Sequence, residues 1–321
     1  RSASGVVEVS VEWIASILQG AVQIGTTYLF ASLGEIYAER SGILNLGIEG
    51  MMIMGAATSF LFTLAYGHLA AILAALVIGM ILGLILGVMA VSLRLNQVVV
   101  GLALTIFGTG MSGFLTHPTI RAGVLQTLNP HIPKSLLMIQ EAPKLPEIPI
   151  PILSNIPIIG RAFFSHNILV YISYILSIFM WFILFKTRIG LSIRSVGENP
   201  GMADAMGVNV FLTRYLTSML CGGFASLAGA YLFIGFHPFW QEGMTAGRGF
   251  IALALVILAT WSPLRAIFGA YLFGGVEAIQ YRLQVKGFGA QIPQFVLMLP
   301  YIVTIITLTS LSFESVRKRL G

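Results

Sequence analysis

The sequence predicts an all-α fold, a polytopic transmembrane helix bundle of about nine spans (eight to ten), because apolar runs of about 20 residues recur from end to end. A second observation is compositional. Of 321 residues, 57% are hydrophobic and only 9% are Asp, Glu, Lys or Arg, against about 25% charged in an ordinary soluble domain. So few charges cannot cover an aqueous surface of this size. Thirdly, the basic residues fall between the apolar runs, where they act as topology determinants. We therefore expect one transmembrane domain over residues 1–321, with the lipid bilayer as its main surroundings and no nucleic-acid partner despite a net charge of +6. The single cysteine, Cys221, excludes an intrachain disulfide or thiolate metal site. Asp204, the single aspartate, excludes a paired-Asp catalytic site. No G-x-x-x-x-G-K-[ST] loop is present to cradle nucleotide phosphates, and no H-E-x-x-H zinc motif.

Taken in order, the expected spans are 11–33, 43–66, 69–93, 97–117, 167–185, 215–236, 249–262, 264–284 and 291–311. Leu69–Leu93 is the clearest: 25 uncharged residues include 14 Leu, Ile or Val, each favouring insertion by about 0.3–0.6 kcal/mol. On its face Gly79, Gly83 and Gly87 recur every fourth residue, a pattern that admits a neighbouring helix closely. Lys186, Arg188, Arg194 and Arg214, together with the tail residues Arg317, Lys318 and Arg319, place 186–214 and the C-terminus in the cytoplasm and the N-terminus outside. The first span is expected to insert without a cleavable signal. Segment 118–166 then faces outward. It holds eight of the 13 prolines and is expected as an extended external loop with at most short helices.

Three constellations interrupt the apolar pattern. Between Gly34 and Gly50, three carboxylates (Glu35, Glu39, Glu49) and Arg40 fall between two spans. Ser41 is placed to cap the next helix, and Asn45 and Glu49, four apart, share a face in its first turns. A carboxylate at that depth normally faces a partner or a cavity. Two readings stand: a cytoplasmic clamp made by Glu35, Glu39 and Arg40, or a direct place of Asn45 and Glu49 in a pathway. In the second constellation, Arg194–Asn209, Asn199 suits an N-cap, Pro200 the first helical position and Gly207 the C-terminal stop. The result is a helix of about seven residues that is too short to span; it reads as an amphipathic loop or a docking knob. In the third, Phe236, Phe239 and Trp240 are interfacial anchors or an external gate, followed by a short span ending at Ser262-Pro263. Gly110-Met111-Ser112-Gly113 matches an intramembrane protease motif, yet all five histidines lie in loops or at span ends.

The first two constellations carry a resemblance. GEIYAERSGILNLGIEGMMIMGA resembles the second-helix signature of membrane permease subunits of ABC importers, in the nucleoside and simple-sugar branch related to branched-chain amino acid permeases. GLSIRSVGENPGMADAMGVNV is similar to that family's cytoplasmic coupling segment, and the resemblance runs from about residue 12 to 311. It implies a non-catalytic subunit in a prokaryotic cytoplasmic membrane, forming half of a pathway for a nucleoside, most of all a purine nucleoside, or a simple sugar. It also implies a second homologous permease, an ATPase that binds ATP and Mg outside this chain, and a substrate-binding lipoprotein or periplasmic protein. The coupling role falls on Gly197, Glu198, Asn199, Pro200, Ala203, Asp204 and Gly207, and the signature helix on Asn45 and Glu49. Ala259-Thr260-Trp261 departs from the glycine-rich turn of that family. A stand-alone secondary transporter or channel is the alternative, but ion-coupled carriers embed several carboxylates as relays, and here only Glu49 and Glu277 are candidates.

Overall fold

A computed structural model describes residues 3–285, apart from 152 and 157, and residues 298–312. Its helices are α1 (Ala3–Arg40), α2 (Ile48–Tyr66), α3 (His68–Gly87), α4 (Gln97–Thr116), α5 (Pro118–Leu128), α6 (Ile159–Phe163), α7 (Ile168–Lys186), α8 (Arg188–Glu198), α9 (Pro200–Ala205), α10 (Val210–Tyr231), α11 (Arg248–Leu258), α12 (Pro263–Val285) and α13 (Leu299–Ser312). Wider turns extend α3 through Ser92 and α10 through Phe236. Among the described residues, six helices are long and apolar enough to cross a membrane: Trp13–Arg40, Ile48–Tyr66, His68–Ser92, Gln97–Thr116, Ile168–Lys186 and Val210–Phe236.

That is fewer than the nine expected, for identifiable reasons. The apolar stretch expected at 249–262 is α11, of 11 residues. At 1.5 Å per residue it reaches about 16 Å, half of a hydrocarbon core. Helix α12 is long enough at 23 residues, but Arg265, Glu277 and Arg282 interrupt it. The last expected span and the basic tail lie partly or wholly outside the described residues.

Helices α1, α2 and α10 form the centre. α2 is apolar all round, which is the pattern of a helix enclosed on every side, and 89% of its span is buried; only 28% of α4's is. Ile106 and Phe107 of α4 and Ile175 and Phe179 of α7 point outward, as lipid-facing residues do. The Gly79–Gly87 face packs on α10: a Cβ at Gly79 would lie 2.3 Å from the Gly222 carbonyl oxygen. Helix α12 runs antiparallel to α1, with Gly274 against Ala21 and Ala278 against Gly20.

Segment 118–166 is not an extended loop. It folds into a cap. Helix α5 is followed by β1 (Glu147–Pro149), which pairs antiparallel with β2 (Ser165–Asn167), and α6 packs on α1. Backbone bonds tie the cap to the stretch after α10: the N–H groups of Ala142 and Leu145 donate to Pro238 and Ile234 (3.0 and 2.9 Å), and Trp240 donates to Gln140 (2.8 Å). Buried Arg121 donates to the Leu137 carbonyl (3.2 Å) and lies 5.4 Å from the Phe60 ring centre; its burial lowers its pKa. Burial likewise lowers the pKa of His166, whose Nε2–H donates to the Ala162 carbonyl (2.7 Å). The prolines thus shape a folded structure by excluding helix at most positions.

Candidate functional site

The end of α1 is reorganised relative to expectation. Glu35, Glu39 and Arg40 belong to its last turns rather than to a connecting loop. Ser41 does not cap α2, whose N-cap is Gly47. Instead its hydroxyl bonds the Ala38 carbonyl (2.8 Å) and Thr217 of α10 (2.7 Å). Asn45 precedes α2, so it does not share a helical face with Glu49.

These residues separate into three groups. Glu35, Asn45 and Cys221 are fully buried together. The Asn45 N–H and the Cys221 thiol donate to the two oxygens of Glu35 (2.9 and 3.0 Å), and the Asn45 amide donates to Cys221 Sγ (3.2 Å). Every member has a partner, as a buried polar cluster requires. Glu39 and Arg40 grip the turn after α11. Trp261 Nε1 donates to Glu39, Arg40 Nη2 reaches the Thr260 carbonyl (3.5 Å), and the Arg40 guanidinium lies 5.8 and 6.0 Å from the Phe185 and Trp261 ring centres. That turn holds Thr260 and Trp261 at φ of +47° and +54°, the left-handed region that glycine adopts without cost and a β-branched residue does not. The place where the resemblance leads to an expectation of glycine is therefore strained.

Glu49 forms the third group. Its Oε1 accepts from Gly247 N–H (2.8 Å) and its Oε2 from Gly249 N–H (2.7 Å), so a carboxylate from α2 caps the first turn of α11, where the helix dipole also favours it. Gly249 is required there: a Cβ would lie 2.7 Å from Glu49 Cα. Beside this cap, Arg248 Nη2 pairs with Glu277 of α12 in a buried ion pair, and the Tyr28 hydroxyl donates to Glu277 (2.6 Å). Tyr281 accepts from Arg248 (2.8 Å). Tyr28 lies 12 residues before Arg40 on α1, about 18 Å along the axis. Helix α11 therefore starts in the middle of the bundle and ends at the α1 terminus, and residues 237–247 complete the crossing without helix.

Above this floor is a cavity of about 870 Å³. Gln19 and Gln23 enter it from one face of α1, with Phe236, His237 and Gln241 from the non-helical half and Arg248 below. The cap supplies Lys144, Glu147 and Arg161 at its rim. Of the expected aromatic gate, Phe236 lines the cavity. Trp240 is buried, stacked on Phe60 (5.7 Å between ring centres), and Phe239 lies beside His237 (6.3 Å). Neither Asn45 nor Glu49 lines it. Sequence reasoning passed over Gln19 and Gln23. Their signal was present: two carboxamides four apart inside an apolar run.

At the opposite end, α8 and α9 form an elbow. The Asn199 side chain accepts from Met202 N–H (3.1 Å), Pro200 opens α9, and Gly207 ends it at φ +84°. Ala203 is buried beneath, while Pro200, Gly201, Met202 and Asp204 are exposed. Glu198 is exposed just before the cap, next to half-buried Gly197. Gly197 is in backbone contact with the α1 terminus, a Cβ there falling 2.1 Å from the Arg40 carbonyl oxygen.

A family model described as "Branched-chain amino acid transport system / permease component" matches residues 16–308. Among curated proteins, "Putative glucose ABC transporter permease protein TsgC13" of Haloferax volcanii is 38% identical over 84% of this chain and 78% of its own length. "Guanosine ABC transporter permease protein NupQ" of Bacillus subtilis is 34% identical over 93% and 92%. "Guanosine ABC transporter permease protein NupP" of the same organism is 24% identical over 78% and 70%. No solved structure matches the chain.

Proposed function

Because the chain belongs to the permease-component family of branched-chain amino acid transport systems, we propose that it is the multi-pass membrane subunit of an ATP-driven importer for a nucleoside or simple sugar. The observation that carries this is the cavity of about 870 Å³ floored by a half-length helix inside the bundle. Broken segments beside a central cavity are how transporters build a gated path. The cap end is the external one, where a substrate-binding protein delivers cargo. The α9 end is cytoplasmic, where an ATPase hydrolyses ATP with Mg. A second, similar permease completes the pathway, and the resemblance to both NupP and NupQ of one organism supports such a pair.

The coupling mechanism follows from contiguous contacts. ATP binding moves α9 as a rigid knob. Its motion passes through Gly197 to the α1 terminus, and through Glu39 and Arg40 to the turn that ends α11. Shifting α11 by its lower end disturbs its capped start at the cavity floor, and two discrete packings of that floor give outward- and inward-open states. The test uses the assembled complex in proteoliposomes. Asp204→Lys places a cation on the exposed knob, and Gly207→Pro is incompatible with φ +84°. Both variants insert and assemble but lose cargo-stimulated ATP hydrolysis. Stimulation at the wild-type level in both would remove the coupling assignment.

A further inference from the structure

Three carboxamides converge on the cavity with their hydrogen-bonding capacity unused. Gln19 and Gln23 lie one turn apart on α1, and Gln241 approaches from the non-helical half of the broken segment. Within the described residues none of the three amides bonds to another protein group, although almost every other polar group at the floor is paired: Arg248 with Glu277, Tyr28 with Glu277, Tyr281 with Arg248. Each free carboxamide offers an acceptor oxygen beside two donor hydrogens. Much of the remaining wall is apolar, from Ile24, Leu232, Phe236, Met244 and Ala278.

This combination discriminates between cargo chemistries. A pyranose carries hydroxyls around its whole rim, and flat apolar walls leave several of them without partners, each at the full desolvation cost of an unpaired polar group. A purine base has two apolar faces, and along its edge it alternates donors and acceptors, which a carboxamide meets in a two-point bond. The floor charges neutralise each other, which leaves no free carboxylate there to hold an ammonium group. We infer that Gln19, Gln23 and Gln241 are specificity-determining residues that read the edge of a purine base while Phe236 and Ile24 cover its faces. This rests on the importer reading above and narrows its cargo.

The experiment measures ATP-dependent uptake by the full complex in proteoliposomes, with radiolabelled guanosine and glucose as probes, for wild type and for Gln19→Leu, Gln23→Leu and Gln241→Leu. Gln23→Asn is the conservative control. Guanosine uptake by wild type is expected to exceed glucose uptake, and each leucine variant to lose at least tenfold in guanosine kcat/KM while the complex assembles at the wild-type level. The asparagine variant retains part of the rate. Guanosine uptake at wild-type kcat/KM in all three leucine variants would overturn the assignment of these residues. Glucose uptake that depends on the same side chains would overturn the base chemistry. Absence of ATP-dependent uptake of either probe by wild type would instead count against the importer reading from which the inference starts.

Discussion

Helices α9 and α11 are both short, and each has its first turn capped by a side-chain acceptor, but the acceptors come from opposite distances along the chain. For α9 the acceptor is Asn199, adjacent to the helix, with Pro200 and Gly207 completing the signal within nine residues. For α11 it is Glu49, which lies 198 and 200 residues from its two donors. A locally specified helix holds its shape while its surroundings change, which suits a part that is pushed. A helix specified by a distant side chain keeps its start only while the two elements stay together, which suits a part that yields.

Four single substitutions and one double variant sharpen or break this contrast. The largest effect is expected at the ion pair beside the α11 cap. Glu277→Ala leaves Arg248 buried without its anion and destabilises the protein by about 3–5 kcal/mol, read as a lowered unfolding midpoint in detergent. Arg248→Met with Glu277→Met recovers most of the loss. Next, Glu49→Gln keeps one acceptor and leaves one of the two N–H groups of Gly247 and Gly249 unsatisfied, at a cost of about 1–3 kcal/mol. Hydrogen exchange should rise at 247–250 and stay unchanged at α9; equal changes at both helices would dissolve the distinction. Asn199→Ala removes the local cap of α9 and costs about 1 kcal/mol, with the exchange change confined to 200–206. The smallest effect is a gain. Thr260→Gly relieves a left-handed threonine and stabilises by about 0.5–1 kcal/mol, while loosening the turn that Glu39 and Arg40 hold.

The same difference in distance decides what could be read beforehand. The knob was legible because its caps and stop are sequence neighbours. Six of the spans were legible because a run of apolar residues reports its own length. The broken segment was not, since 249–262 is apolar enough to pass for a span and only the Glu49 contacts show where its helix begins. Glu35, Asn45 and Cys221 were each noticed or counted, yet the bonds joining Cys221 to the other two span 176 and 186 residues, and no local pattern records them. The folded cap escaped because prolines forbid helix without revealing which backbone partners replace it, here the 234–240 stretch.

The Glu49 cap also sets a problem of timing. A ribosome adds about 5–20 residues per second, so the carboxylate of α2 is made roughly 10–40 s before Gly249 emerges, given the 200 residues between them. Through that interval the nascent chain carries an acidic group with none of its eventual donors, and its early helices must wait beside the insertion machinery or shelter that group among water and one another. A product stalled before residue 247 never closes this contact, which makes it a ready substrate for membrane quality control.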